Sequence, residues 1–481
     1  MKQMKRMLLS AATAMMLFSV CAVPCSAAGS GGGTVTSGDV NNDGSIDAAD
    51  VTMLAEFLLS GDGISARRAA AADMNGDSKL NAADLTLLKR QLLTAGSGQG
   101  ESDGNAGASG ITVLTADGSN TTLTSGSVTV TIGGKSVTLS GAYVVDGIEA
   151  TLIGGTYSTD VSDQTVFLVV NGGSLTVSNA VISKSGDALN SDSSRTSDVS
   201  DDYNFYGYNS VIVCVGSGST ATINDCEISA VSTGSNAVFA TAGAQIDIDN
   251  CEIETTASSS RGVYGTYEGV VNASHMTITT AKAHCAPIAT DRGGGYITVT
   301  DTIVSASGSG SPCIYSTGQV ICTNVIGTAK KSQAIVIEGK NSVTLYDCEL
   351  TTVSNNNGVM MYQSGSGDAA DSDATATYST LNMTNSAIIN QSSTPMFYIT
   401  NTHAAISLLG GNTMTGAAQL VSAAAGNWGK DGSNGGRLVM NITDESYSGS
   451  IIADDISWVE LNLNGSAAYT GTTSGSVTIT E

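Results

Sequence analysis

Basic residues are scarce in this chain of 481 residues, where 19 Lys and Arg stand against 43 Asp and Glu, a formal net charge of −24. An acidic surface of that kind argues against nucleic acid and anionic membranes as partners, since both are polyanions. It would also repel an anionic polysaccharide such as pectin unless calcium bridged the two. Aromatic residues make up only 5%. After the first 28 residues no apolar run reaches the ~20 residues that a membrane-spanning helix needs. No CxxC pair offers a zinc site. The cysteines beyond the N-terminal segment, Cys214, Cys226, Cys251, Cys285, Cys313, Cys322 and Cys348, are odd in number and widely spaced, a poor disulfide framework. Helical periodicity is almost missing after residue 110.

Glycine, by contrast, is abundant, 57 residues, close to one in eight against a usual share of about 7%. With plentiful Ser, Thr and Asn it suits many short strands and tight turns. The N-terminus reads as a secretory signal over 1–28, with Lys2, Lys5 and Arg6 before an apolar run from Met7 to Val23 and small residues near Ala28. A Gly-rich spacer covers 29–37, and a Gly/Ser linker covers 95–110. The expected product is secreted, extracellular and free of a membrane span.

Between spacer and linker, over 38–94, one segment is written twice, GDVNNDGSIDAADVTMLAEFLL and ADMNGDSKLNAADLTLLKRQLL, with Asp39 and Asp73 34 residues apart. Calcium takes six to eight oxygens, and a loop that alternates carboxylates and amides can wrap one ion. Asp39, Asn41, Asp43, the Ser45 carbonyl, Asp47 and Asp50 supply one set. Asp73, Asn75, Asp77, the Lys79 carbonyl, Asn81 and Asp84 supply the second, with Ser78 where the first copy bends at Gly44. Val51, Leu54 and Leu58, then Leu85, Leu88 and Leu92, place one apolar helical stripe after each loop. Two loops, each with one exiting helix and with Ala48-Ala49 and Ala82-Ala83 in matching places, resemble a type I dockerin. That resemblance implies a small all-α domain holding two calcium ions, and a cohesin of a scaffoldin as partner, met through those alanine pairs.

From 111 to 481 the pattern is one of short alternating strands. A phrase of apolar, any, apolar, any, then Asn or Asp, a small residue, any and apolar starts at Leu175, Ala221, Ile246, Val271, Ile297, Val343 and Leu381. From Ala221 to Val343 the spacings fit steps of 23 to 26 residues, the last being two such steps, the period of stacked coils. The expected fold is mainly β, a right-handed parallel β-helix (solenoid), monomeric, whose polar corner residues accept left-handed backbone. The corner column is Asn179, Asp225, Asn250, His275, Asp301, Asn324, Asp347 and Asn385, and Cys226, Cys251 and Cys348 follow it as small buried side chains.

A later strand in each coil places Thr241, Thr266, Thr290, Thr317, Glu338, Gln363 and Thr400 in a polar column expected to face outward. Strand alternation then predicts an outward stripe of Phe239, Tyr264, Ile288, Tyr315, Val336, Met361 and Tyr398. Exposed, such a stripe suits carbohydrate binding by Tyr264, Tyr315 and Tyr398. The insertion after Ser185 adds Tyr203 and Tyr206. Alternatively, the insertion covers the stripe, or the two faces are exchanged. Phrases such as AHCAPIATDRGGG and SSTPMFYITNTHA are similar to adhesin-like β-helix proteins of gut Firmicutes, a resemblance that implies binding to a polysaccharide or a surface glycan.

Secreted β-helices also include pectinases, but neither GHG nor RIK phrases occur. The nearest approach to a polysaccharide lyase or glycoside hydrolase site is Arg261, Glu268, His284, Asp291 and Arg292 on adjacent coils. An ion pair closing the TDRGGG turn is the simpler reading of Asp291 and Arg292. The resulting expectation is a dockerin-carried binding module, with a polysaccharide-cleaving enzyme as the alternative.

Overall fold

The computed structural model describes residues 110–114, 120–189, 199–364 and 378–481, and before them 23–24, 37–38, 40–41, 46, 50–51, 53–54, 66–74, 79–80, 84 and 87–88. It divides into two units, Met1–Gly104 and Asn105–Glu481. The second is a parallel β-solenoid of about 13 turns.

Most complete coils carry three strands, as in Gln245–Asp249, Glu252–Thr255 and Val263–Thr266, and in two coils the first two run on as one, Gly295–Ser309 and Gln319–Lys331. The repeated phrases pair in the register that their sequence implies: Leu175 with Ala221, Ala221 with Ile246, Ile246 with Val271, Val271 with Ile297, and Val343 with Leu381. All eight corner residues have positive φ, between 49° and 55°. Asn and Asp tolerate that conformation because their short side chains bond locally. Here they also bond from coil to coil, Asn250 Nδ2 donating to Asp225 Oδ1 at 2.6 Å and Asn324 Nδ2 to Asp301 Oδ1 at 2.5 Å. The sharp corner is thus stabilised along the solenoid axis as well as within each coil.

The main core lies inside the coils, where Ile223, Ile248, Val299, Cys322 and Leu345 are buried. All seven cysteines of the solenoid are buried and free of disulfides, Cys226, Cys251 and Cys348 as their column suggested. Burial pushes the Cys214 and Cys313 thiols up to about 12 and that of Cys285 to about 11. The coils do not begin at 111, however. Ile111–Leu114 pairs antiparallel with Asn120–Leu123, and Gly126–Ile132 pairs antiparallel with Lys135–Asp146, before parallel stacking starts.

A second apolar cluster lies on the outer face of the 14-stranded sheet formed by the third strands. There Leu168, Val213, Phe239 and Tyr264 are wholly buried. The helix Asp201–Tyr206, in the insertion after Ser185, supplies the cover together with the Gly126–Ile132 hairpin. Its Tyr206 ring stacks on Tyr267 at 5.9 Å and 5°, and Tyr203 Oη donates to Asp163 Oδ1 at 2.6 Å. Lys135 ties the hairpin to the helix through Asp202 at 3.1 Å. Leaving one such side chain exposed would forfeit about 1.5–3 kcal/mol, so a covered stripe is the stable arrangement.

In the first unit Leu54 and Leu88, equivalent positions of the two copies, are fully buried with Val40, Ala69, Ala72 and Leu80. A helix between the copies, Ala66–Ala72, is an element that the repeat did not predict. Leu58, Leu85 and Leu92 lie outside the described residues, and of the expected leader only Val23–Pro24 is described, paired with Lys79–Leu80. No helix among the described residues is long and apolar enough to cross a membrane.

Candidate functional site: an outer-face cleft and the repeated loops

Where the covering helix ends, the outer face of the 14-stranded sheet opens into a cleft of about 530 Å³. Register fixes which residues face it. Ala289 pairs with Tyr315, Tyr315 with Val336, Val336 with Met360, and Met360 with Tyr398. Two residues further on lie Asp291 and Thr317, each just past the end of its strand, and Glu338 and Tyr362, each the last residue of its strand; all four line the cleft. The stripe read from sequence is therefore one residue out of phase at two coils. Ile288 and Met361 belong to the inner core, and Ala289 and Met360 face out.

Of the five residues that approach a lyase or hydrolase set in the sequence, Arg261, His284, Asp291 and Arg292 line this one cleft, and Glu268 is exposed outside it. Asp291 Oδ2 accepts from Tyr264 Oη at 2.8 Å and Oδ1 accepts from the Arg292 N–H at 2.9 Å. Burial raises the affinity of the Asp291 carboxyl for its proton, and the nearby Arg261 charge opposes part of that rise. Arg261 is itself held by Asn204 Oδ1 at 2.6 Å, and its guanidinium lies 4.8 Å from the centre of the Tyr264 ring. The Arg292 guanidinium lies 4.2 Å from the Phe205 ring. The covering helix thus positions both arginines.

Sequence reasoning assigned no role to several groups that complete the cleft. Glu338 Oε2 accepts from the phenols of Tyr315 and Tyr362, the latter at 2.7 Å. Desolvation keeps the Tyr315 and Tyr362 hydroxyls protonated, so they remain donors. Thr317 lies between Asp291 and Glu338, and its Oγ1 is buried without a hydrogen-bond partner among the described residues. Trp428 closes the far wall, its ring 4.5 Å from that of Tyr362. One signal for Glu338 was present in the sequence: it is the single carboxylate in a column otherwise read as Thr and Gln.

The expected open tyrosine ladder is not there. Tyr264 is wholly buried, and Tyr203 and Tyr206 are buried in the cover, so none of the three offers a ring face for stacking on a sugar. The polar column of Thr241, Thr266, Thr290 and Thr400 is likewise buried. Burial on both faces is the rule for parallel strands packed between two layers. Tyr398 faces outward but lies beneath Gly426, leaving Tyr315 as the expected sugar-binding tyrosine that lines the cleft.

In the repeated loops, Asp50 and Asp84 are fully buried. Each reaches back to the start of its own loop, Asp50 Oδ1 accepting from Asn41 N at 2.8 Å and Asp84 Oδ1 from Met74 N at 3.0 Å. A buried carboxylate is stable only when paired or coordinated, so the donor chemistry fits a cation-binding loop. Asp39, Asp43, Ser45, Asp47, Asn75, Asp77 and Asn81 lie outside the described residues, as do Ala48, Ala49, Ala82 and Ala83.

No curated protein matches the chain, and no solved structure does. Residues 37–93 match the family described as Dockerin type I domain, one residue offset from the span read in the sequence. That stretch is therefore a type I dockerin domain, a calcium-binding module whose presence implies a cohesin partner and an extracellular cellulosome component.

Proposed function

We propose that the chain is a secreted cellulosome component whose solenoid holds a polysaccharide chain in the outer-face cleft while the dockerin fastens it to a scaffoldin cohesin. Two calcium ions bind the dockerin, one through Asp39, Asn41, Asp43, Ser45, Asp47 and Asp50, the other through Asp73, Asn75, Asp77, Lys79, Asn81 and Asp84. The cohesin meets Ala48-Ala49 or Ala82-Ala83. The observation that carries the glycan reading is the cleft itself, with the half-buried Tyr362 and Trp428 rings on one wall and hydrogen-bonding groups on its floor. Apolar ring faces beside a few fixed polar groups are what an amphipathic sugar requires.

Affinity electrophoresis of the full chain in gels containing pectin, xylan or starch tests this reading. Retardation by at least one of them is expected. Trp428→Ala should weaken binding by about tenfold, which corresponds to roughly 1.4 kcal/mol. Equal retardation of the variant, or free migration in every gel, would contradict it.

A further inference from the structure

We propose, building on the glycan-binding reading above, that the cleft hydrolyses the glycosidic bond it holds, with Asp291 as general acid, Glu338 as general base and inversion at the anomeric carbon. The two carboxyl groups stand at matching positions two coils apart, with Thr317 on the coil between, and all three residues line the cleft. Neighbouring strands are about 4.7–4.9 Å apart, and the strand that leads into Asp291 lies two steps, about 9.5 Å, from the strand that ends at Glu338. Inverting glycosidases need roughly 6.5–9.5 Å between their carboxyl groups, to leave room for a water, whereas retaining ones need only about 5–5.5 Å. Two adjacent coils could give only a single step. A pair two steps apart has the wider gap.

The environments of the two groups differ in the sense that the chemistry needs. Burial favours the protonated form of Asp291, and Tyr264 Oη and the Arg292 N–H fix its orientation. Glu338 takes both phenol hydrogen bonds on Oε2, and Oε1 accepts none from a described residue. Oε1 is the oxygen left to take a proton. Independently, Thr317 Oγ1 is buried in the same cleft and has no partner among the described residues, so that a water or a sugar hydroxyl would satisfy it.

The step balances without a further reactant. Asp291 transfers its proton to the glycosidic oxygen as the bond from that oxygen to the anomeric carbon breaks. A water attacks that carbon from the opposite face and gives its proton to Glu338. One water is consumed, two sugar ends are released, and solvent returns the proton from Glu338 to Asp291. Tyr264, Tyr315, Tyr362 and Arg261 act as positioning residues.

The test incubates the calcium-loaded full chain with pectin, xylan and starch and follows reducing ends, ultraviolet absorbance of unsaturated products and the anomeric proton of the first product. The expected result is release of reducing ends of inverted configuration from a polysaccharide that the chain binds. Asp291→Asn and Glu338→Gln should each lower kcat by about 10²–10⁴-fold, the usual share of acid or base catalysis, while the β circular dichroism shows that each variant stays folded. Thr317→Val should lower kcat. Retained configuration, an unsaturated product, or full activity in either carboxyl variant would overturn the proposal. Binding without any release of reducing ends would overturn it and leave the binding reading standing, while absence of binding to every polysaccharide would remove both.

Discussion

His275 occupies a corner where the other seven members of the column are Asn or Asp, and its φ is 53°. Left-handed backbone costs an ordinary L-residue roughly 1–2 kcal/mol, and the cost is greatest for a branched side chain. The imidazole offsets part of it by reaching Asp249 Oδ1 at 2.7 Å through Nδ1 and Asp301 Oδ2 at 3.7 Å through Nε2. The hydrogen bond to Asp249 raises the His275 pKa above the ordinary value and lowers that of Asp249. For the histidine, the stabilisation is complete below its unfolded value of about 6.5 and is lost as pH rises through the higher folded value. For Asp249, it is present above the unfolded carboxylate value and lost as pH falls through the lowered one. A proton NMR titration should therefore place His275 above the free imidazole. His275→Asn should keep the melting temperature and remove its decline across neutral pH, whereas His275→Val should lower it at every pH. Equal melting of the two variants would mean that the corner imposes no conformational demand. Such corners were legible in the sequence because the left-handed conformation admits few residue types, so the demand is written directly as Asn, Asp or a bonded His.

The third strand of each coil was far less legible. Alternation reports which face is buried only when one face is wet, and strands such as Val238–Thr241 and Val263–Thr266 are buried throughout. Phase was lost at Ile288 and Met361 for that reason, and the partnership of Asp291 with Glu338 was lost with it. Cover by the Asp201–Tyr206 helix, one of the alternatives the sequence left open, is a contact between distant segments that local pattern could raise but not decide. A further demand at the scale of the element comes from glycine. Just beyond Thr317, Gly318 approaches the preceding coil so closely that a Cβ would lie 2.4 Å from Gly295 O. Gly318→Ala must push the two coils apart next to Thr317. Overpacking of this kind costs about 1–3 kcal/mol. The variant should melt at a lower temperature and lose retardation by polysaccharide, and a variant matching the parent in both would show that the spacing of these coils is soft.

At the scale of the whole chain, the dockerin and the solenoid draw stability from different sources. Ligands that bind only the folded state stabilise it by about 4 kcal/mol per site at a thousandfold excess over the dissociation constant. Chelation should abolish the helical circular dichroism of the dockerin and its cohesin binding while the β signal of the solenoid persists. A helical signal indifferent to chelator would remove calcium from the account. Within the solenoid, the column that carries Asp291, Thr317 and Glu338 takes one residue from each turn. Distances along it are quantised, since a coil can be inserted or deleted whole and nothing smaller leaves the stack intact. Excising the turn that bears Thr317 would bring the strand that leads into Asp291 within one spacing, about 4.8 Å, of the strand that ends at Glu338. In such a scaffold the geometry of a reacting pair changes by counting turns, a digital adjustment that loop-built sites on other folds do not offer.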